Sequence, residues 1–176
     1  AQFHLGDMTE LNFPDNHFDA VFAIASFHHL PGRGVRRRAV SEMHRVLKSD
    51  GVLILTVWNL FQWKYLKAIL RAIFSFAVHL GLRHAWNDLW VPWGEHPAPR
   101  YYHAFLPREL LRYFKKDQWK IEEFYFTRKG LKVKFWKSFN LCLIVRKRSR
   151  LMNALTLPAF LSITSLMRRL WSGWPV

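Results

Sequence analysis

Two apolar runs constrain this chain more than any other feature. Residues 18–26 (FDAVFAIAS) and 52–58 (VLILTVW) are almost unbroken hydrophobic stretches. Turn formers precede each: Pro14-Asp15-Asn16 the first, Asp50-Gly51 the second. Apolar runs of this length between turns read as strands buried on both faces, as in a parallel sheet. After a break at Pro31-Gly32, residues 35–48 carry Val35, Ala39, Met43 and Val46/Leu47 at helical spacing. Arg36, Arg37, Arg38 and Arg45 fall on its other faces. Two buried strands joined by a helix make a right-handed βαβ unit. Upstream, Phe3-His4-Leu5 is a short strand candidate ended by Gly6-Asp7.

The rest of the chain is read from the same signals. Residues 61–80 read as a long helix with Leu66, Ile69, Leu70, Ile73, Phe76 and Leu80 on its apolar side. Lys64, Lys67, Arg71, Ser75 and His79 form a polar stripe along it, and these charges argue against a membrane span. Residues 81–99 look like a loop, 100–105 (RYYHAF) a short strand, and Pro107 opens a helix to about residue 116. Residues 119–127 and 139–145 are strands of a closing antiparallel hairpin, with Lys129-Gly130 in a turn. The expected division is a domain over 1–148 and a basic, apolar helical tail over 149–176. Residues 151–167 carry no charge and lie between arginines, which fits peripheral contact with a membrane surface.

The chain has 27 Lys+Arg against 12 Asp+Glu, a net charge of +15, so an anionic partner is expected, RNA or an acidic membrane among the candidates. With 51% hydrophobic residues it is not a disordered chain. Cys142 is the only cysteine, which rules out an internal disulfide and suits a reducing cytoplasm. His28 and His29 are adjacent, a spacing that does not converge on one metal, and no metal is expected. Asp19 reads as a structural residue near the start of its strand.

The order GDMTELNFPDNHFDAVFAIASFHHL then EMHRVLKSDGVLIL resembles class I S-adenosylmethionine-dependent methyltransferases. Their pattern is roughly GDxxxLPFxDxxFDxVxxxxxxHHL followed by ExxRVLKPGGxLxL. Trp58-Asn59, Val91-Pro92-Trp93, Arg100-Tyr101-Tyr102-His103 and the Glu109-Leu110 helix are similar to the branch of tRNA wobble-uridine carboxymethyl methyltransferases. The resemblance implies an α/β fold: a partial Rossmann-like sandwich, mostly parallel, with a C-terminal antiparallel hairpin. It implies S-adenosyl-L-methionine as cofactor, with Asp7 accepting from the adenine amino group and Met8 against the ring. Ala25 and Ser26 match the positions that approach the methionine part. His29, Arg100, Tyr101, His103 and Trp93 are candidates for positioning a substrate.

The family's glycine-rich first turn and its ribose-binding acid do not occur in these 176 residues. The resemblance therefore implies an N-terminally truncated domain, an exposed edge at residues 18–26, and poor cofactor binding by the chain alone. The favoured function is methyl transfer to RNA, at a modified tRNA uridine. The alternatives are methylation of a quinone or lipid-like small molecule, and a catalytically inactive domain that binds RNA or an acidic membrane surface.

Overall fold

The computed structural model describes residues 3–79, 85–93 and 96–149. The proposed tail over 149–176 lies, beyond Ser149, outside them. Strand β1 (Phe18–Ile24), helix α1 (Arg33–Val46) and strand β2 (Leu47–Trp58) form the expected βαβ unit. β1 and β2 are parallel, in register from Ala20↔Val52 to Ile24↔Thr56. β5 (Trp119–Arg128), the two-residue β6 (Leu131–Lys132) and β7 (Asn140–Lys147) complete a five-stranded sheet of order β1-β2-β7-β5-β6.

The α/β class and the C-terminal antiparallel strands are as expected. The parallel share of the described sheet is smaller than expected and consists of the β1–β2 pair. β7 returns between β2 and β5 and pairs antiparallel with both, because the segment between β5 and β7 reverses the chain. β1 stands at the sheet edge with Phe22 and Ile24 exposed, which agrees with the edge position read from the sequence. Residues 3–6 are not a strand, contrary to expectation. Phe3 and Leu5 are fully exposed, so nothing rewards an extended pairing there.

α1 packs on one sheet face. Ala39, Val40 and Met43 meet Ala23, Leu53, Leu55, Leu141 and Leu143 in the main core, with Phe105, Leu110 and Trp119 closing it. The helical phase differs from the expected one in its first turn. Arg36 is buried and Val35 is exposed, because Arg36 shares the stripe of Val40 and Met43.

A second unit sits over the strand ends. β3 (Asp88–Trp93) pairs antiparallel with β4 (His96–His103), so part of the expected loop is a strand. α2 (Leu66–Val78) packs on it through Ala72 and Ile69. α3 (Pro107–Leu111) is shorter than expected.

The turn at Asp50-Gly51 is a bulge inside β2, where the register jumps between Phe18↔Leu47 and Ala20↔Val52. Arg146 Nη1 donates to the Asp50 carbonyl (2.7 Å), and Lys48 Nζ donates to both Asp19 oxygens (2.8 and 3.0 Å), which gives Asp19 its structural role. A Cβ on Gly51 would lie 2.9 Å from the Lys48 carbonyl oxygen and 3.2 Å from that of Asp19, both backbone atoms that cannot swing aside. Gly51→Ala is therefore expected to destabilise the fold by about 1–3 kcal/mol, read as a lowered urea midpoint at unchanged m-value. A wild-type midpoint would show that the bulge relaxes freely.

Candidate functional site at the strand ends

Because β1 and β2 are parallel, their carboxyl ends share one sheet edge, where open α/β sheets bind ligands. The chain leaves β1 through Ala25, whose φ of 48° is unusual for a residue with a side chain. Buried Thr56 of β2 holds it there: the Ala25 N–H donates to the Thr56 carbonyl (3.1 Å) and to its Oγ1 (3.0 Å). The Ser26 carbonyl then accepts from the His29 N–H (3.0 Å) and closes the helical turn Phe27–His29. Ala25 and Ser26 are half-buried at this edge.

The two histidines separate completely. His28 is buried, and its Nδ1 accepts from the Trp58 N–H (3.3 Å). Burial holds its pKa down at about 3, so the ring is neutral, stacked 5.5 Å from Tyr102. His29 is exposed, with Nδ1 donating to the Tyr101 carbonyl (3.1 Å). Asn59, at the end of β2, is an internal clasp. Its Nδ2 donates to the Phe135 carbonyl (2.7 Å) and to Ser138 Oγ (3.0 Å), and its Oδ1 accepts from the Phe61 N–H (3.0 Å).

The loop before β1 carries Asp7. One oxygen, Oδ1, accepts from the Thr9 N–H (2.7 Å) and the Thr9 hydroxyl (2.8 Å), and these bonds lower the pKa of the carboxyl. Oδ2 has no hydrogen bond among the described residues and is open to solvent. A carboxylate held by one oxygen with the other free can accept from an amino group. Met8 packs against the main core and is half-buried.

What holds this loop is the EMHRVL segment of α1. Arg45 Nη1 donates to the Phe13 carbonyl (2.7 Å) and to Asp15 (2.8 Å), and Nη2 donates to the Leu11 carbonyl (2.7 Å). Glu42 binds Arg45 through both oxygens (2.8 Å each) and accepts from the Leu11 N–H (2.9 Å). The Arg45 bonds lower the Glu42 pKa to about 2 against burial.

The RYYH segment divides between the two sides of β4. Tyr101 and His103 point toward Asp88, whose Oδ1 accepts from the Tyr101 hydroxyl and from His103 Nδ1 (2.6 Å each). His103 Nε2 donates to Glu109 (2.7 Å), and Asn87 donates to the other Glu109 oxygen (2.8 Å). Burial alone would raise the Asp88 and Glu109 pKa values, but their hydrogen bonds from His103 outweigh it and both are lowered. Burial and the Asp88 carboxylate raise that of Tyr101. His103, expected to position substrate, is fully buried with both ring nitrogens engaged, so it braces β4 instead. Tyr101 likewise spends its hydroxyl on Asp88. Arg100 is exposed on the strand. Trp93 ends β3, and its side chain lies outside the described part.

Sequence reasoning overlooked Asp88 as the anchor of this network. The available signal was an acid at the head of an aromatic segment in a strongly basic chain. Among the described residues, no cluster of three His, Cys, Asp or Glu could hold a metal ion, and no helix is long and apolar enough to cross a membrane.

A profile of the family described as "Methyltransferase domain" matches residues 1–55. Over these residues the chain is similar to that family. A putative methyltransferase of Encephalitozoon cuniculi is 51% identical over 54 residues, 31% of this chain and 26% of that protein. A 2-methyl-6-phytyl-1,4-hydroquinone methyltransferase of Synechocystis is 36% identical over 59 residues, 34% and 18% of the two chains. A probable tRNA methyltransferase 9B of Mus musculus is 41% identical over 56 residues, 32% and 12% of the two. The matches thus span about a quarter or less of these relatives' own length. In fold, the crystal structure of a SAM-dependent methyltransferase from Methanosarcina mazei superposes with a TM-score of 0.66 at 21% identity, over 84% of this chain and 67% of that one. The fold is that of the class I methyltransferases.

Arg45→Met is expected to release residues 11–15 and to lower the urea midpoint, since the guanidinium holds the Leu11 and Phe13 carbonyls. Glu42 ionises more readily in the folded state than at its ordinary value of 4.5. Its contribution is therefore complete above that value and lost as pH falls from there toward 2. Urea midpoints measured across this window should fall in the wild type and flatten in Glu42→Gln. Parallel curves would remove Glu42 from the acid response.

Proposed function

We propose that this chain is part of an S-adenosyl-L-methionine-dependent methyltransferase acting on RNA, at a modified uridine of tRNA, in a reducing cytoplasm. The observation that carries the reading is the matched stretch itself. It folds as β1–α1–β2 with Ala25 and Ser26 at the parallel strand ends, and Arg45 ties the Asp7 loop to α1.

In this reading Asp7 Oδ2 accepts from the adenine amino group, Met8 lies against the ring, and Ala25 and Ser26 line the methionine side. The bound cofactor supplies a methyl already activated on a sulfonium sulfur. The protein's work is orientation and shielding. His29 and Arg100, both exposed, are the candidates to hold an acceptor, with Trp93 as a stacking surface for a base. The net charge of +15 and the tRNA methyltransferase relatives support RNA as acceptor. The chain divides into this domain over 1–148 and a tail over 149–176 that touches a membrane surface peripherally.

A specific observation favours a second reading, a quinone or lipid-like acceptor. Leu66, Leu70, Ile73, Phe74 and Val78 form an exposed apolar stripe along α2, and one relative is a hydroquinone methyltransferase. Labelled S-adenosyl-L-methionine decides between them in the whole methyltransferase of which this chain is part, since the chain alone is expected to bind the cofactor poorly. Transfer to bulk tRNA that falls steeply with salt, and none to a quinol, is the expected result. Transfer to the quinol alone would replace RNA with the second reading. Asp7→Ala should weaken cofactor binding about tenfold in equilibrium dialysis, and unchanged binding would remove Asp7 from the site.

A further inference from the structure

Beside the strand ends lies a cavity of about 360 Å³ between the first turn of α1 and the segment leading into β3. Arg33, Arg36, Arg37 and Arg112 line it, together with Trp86 and Asn87.

Arg36 is the unusual member. It is 3% exposed, yet among the described residues no carboxylate lies within ion-pair distance. Its Nε donates to the Tyr113 hydroxyl (2.9 Å), and its Nη1 to the Leu30 carbonyl (3.0 Å) and the Tyr101 hydroxyl (3.3 Å). All three acceptors are neutral. The remaining nitrogen, Nη2, has no hydrogen bond among the described residues, and it belongs to a side chain that lines the cavity. A buried guanidinium without a counter-charge is costly, and an anion in reach of Nη2 relieves that cost.

The surroundings match. Arg33, Arg37 and Arg112 are exposed and make no ion pair or hydrogen bond among the described residues. Glu109 also borders the cavity, but His103 and Asn87 occupy its two oxygens. The first turn of α1 has no acidic residue and no side-chain cap, so the positive end of this 14-residue helix is not offset by the protein. Planar guanidinium forks suit phosphate oxygens, and Trp86, half-buried, offers a wall for an attached ring.

We propose that this cavity binds a phosphate group, carried by an RNA backbone or by a phosphorylated small molecule. The site rests on the arginines; only the choice of RNA rests on the proposed function.

The test follows the arginine Nε–Hε signals of the full chain by NMR during titration with inorganic phosphate at constant ionic strength. Saturable movement of the Arg36 signal is expected. Arg33→Gln with Arg112→Gln should weaken phosphate about tenfold, because both residues are exposed and unpaired, so the fold survives their loss. Lys129→Gln with Lys134→Gln removes the same charge elsewhere and should change nothing. An unmoved Arg36 signal, or equal affinities in the two double variants, overturns the proposal. Single-stranded RNA and a nucleoside monophosphate then distinguish the sources. If RNA is the source, the arginine variant flattens the log–log salt dependence of RNA binding by about 0.7, the value for one phosphate. If only the monophosphate loses affinity, the site belongs to a small molecule. No readout requires methyl transfer, so failed RNA methylation with intact phosphate binding counts against the proposed function and not against the site.

Discussion

Strand β2 is the constraint on which the rest of the molecule depends. Its apolar side chains cannot face water on either side, and its backbone groups cannot go unpaired at either edge. Parallel pairing with β1 satisfies one edge, and antiparallel pairing with β7 the other. The first pairing brings two carboxyl ends together and so creates an edge where polar residues can converge. The second places Arg146 and Lys147 beside the start of β2, where they hold the bulge and the Leu47 carbonyl (2.7 Å).

Two arginines of α1 illustrate how the same residue type serves opposite ends. Arg45, near the C-terminal end, is saturated: two carboxylates and two carbonyls surround its guanidinium. It has nothing left to offer a ligand, and its work is to fix a loop. Arg36, near the N-terminal end, is the more deeply buried of the two but is met by phenols and one carbonyl. Charge left uncompensated at depth is where a fold can receive something from outside. Two nearby carboxylates, buried Asp88 and half-buried Glu109, are held by His103 instead.

Similarity in sequence and similarity in fold cover very different amounts of this chain. The family profile matches residues 1–55, whereas the fold superposes over 84% of the chain. The matched part contains the loop clasp and the strand ends, whose geometry depends on particular side chains. The later strands need only apolar residues at alternating or continuous positions, which many sequences supply.

The sequence by itself determined the βαβ unit, the helix over most of 33–46 and the C-terminal antiparallel strands, because hydrophobic period and turn residues are local signals. It also placed Asp7, Ala25 and Ser26 at the rim through the resemblance. It did not reveal that Asp88–Trp93 is a strand, since that segment becomes one only by pairing with β4, which is a non-local choice. Nor did it separate His28 from His29 or Tyr101 from His103. Which neighbour turns inward depends on where Trp58, Tyr102 and Asp88 arrive from elsewhere in the chain. Tertiary structure alone decided that Arg36 is buried with no carboxylate beside it among the described residues. The helical pattern assigns arginine to the outer face, and only the arrival of Tyr101 and Tyr113 against α1 supplies the partners that let it turn inward.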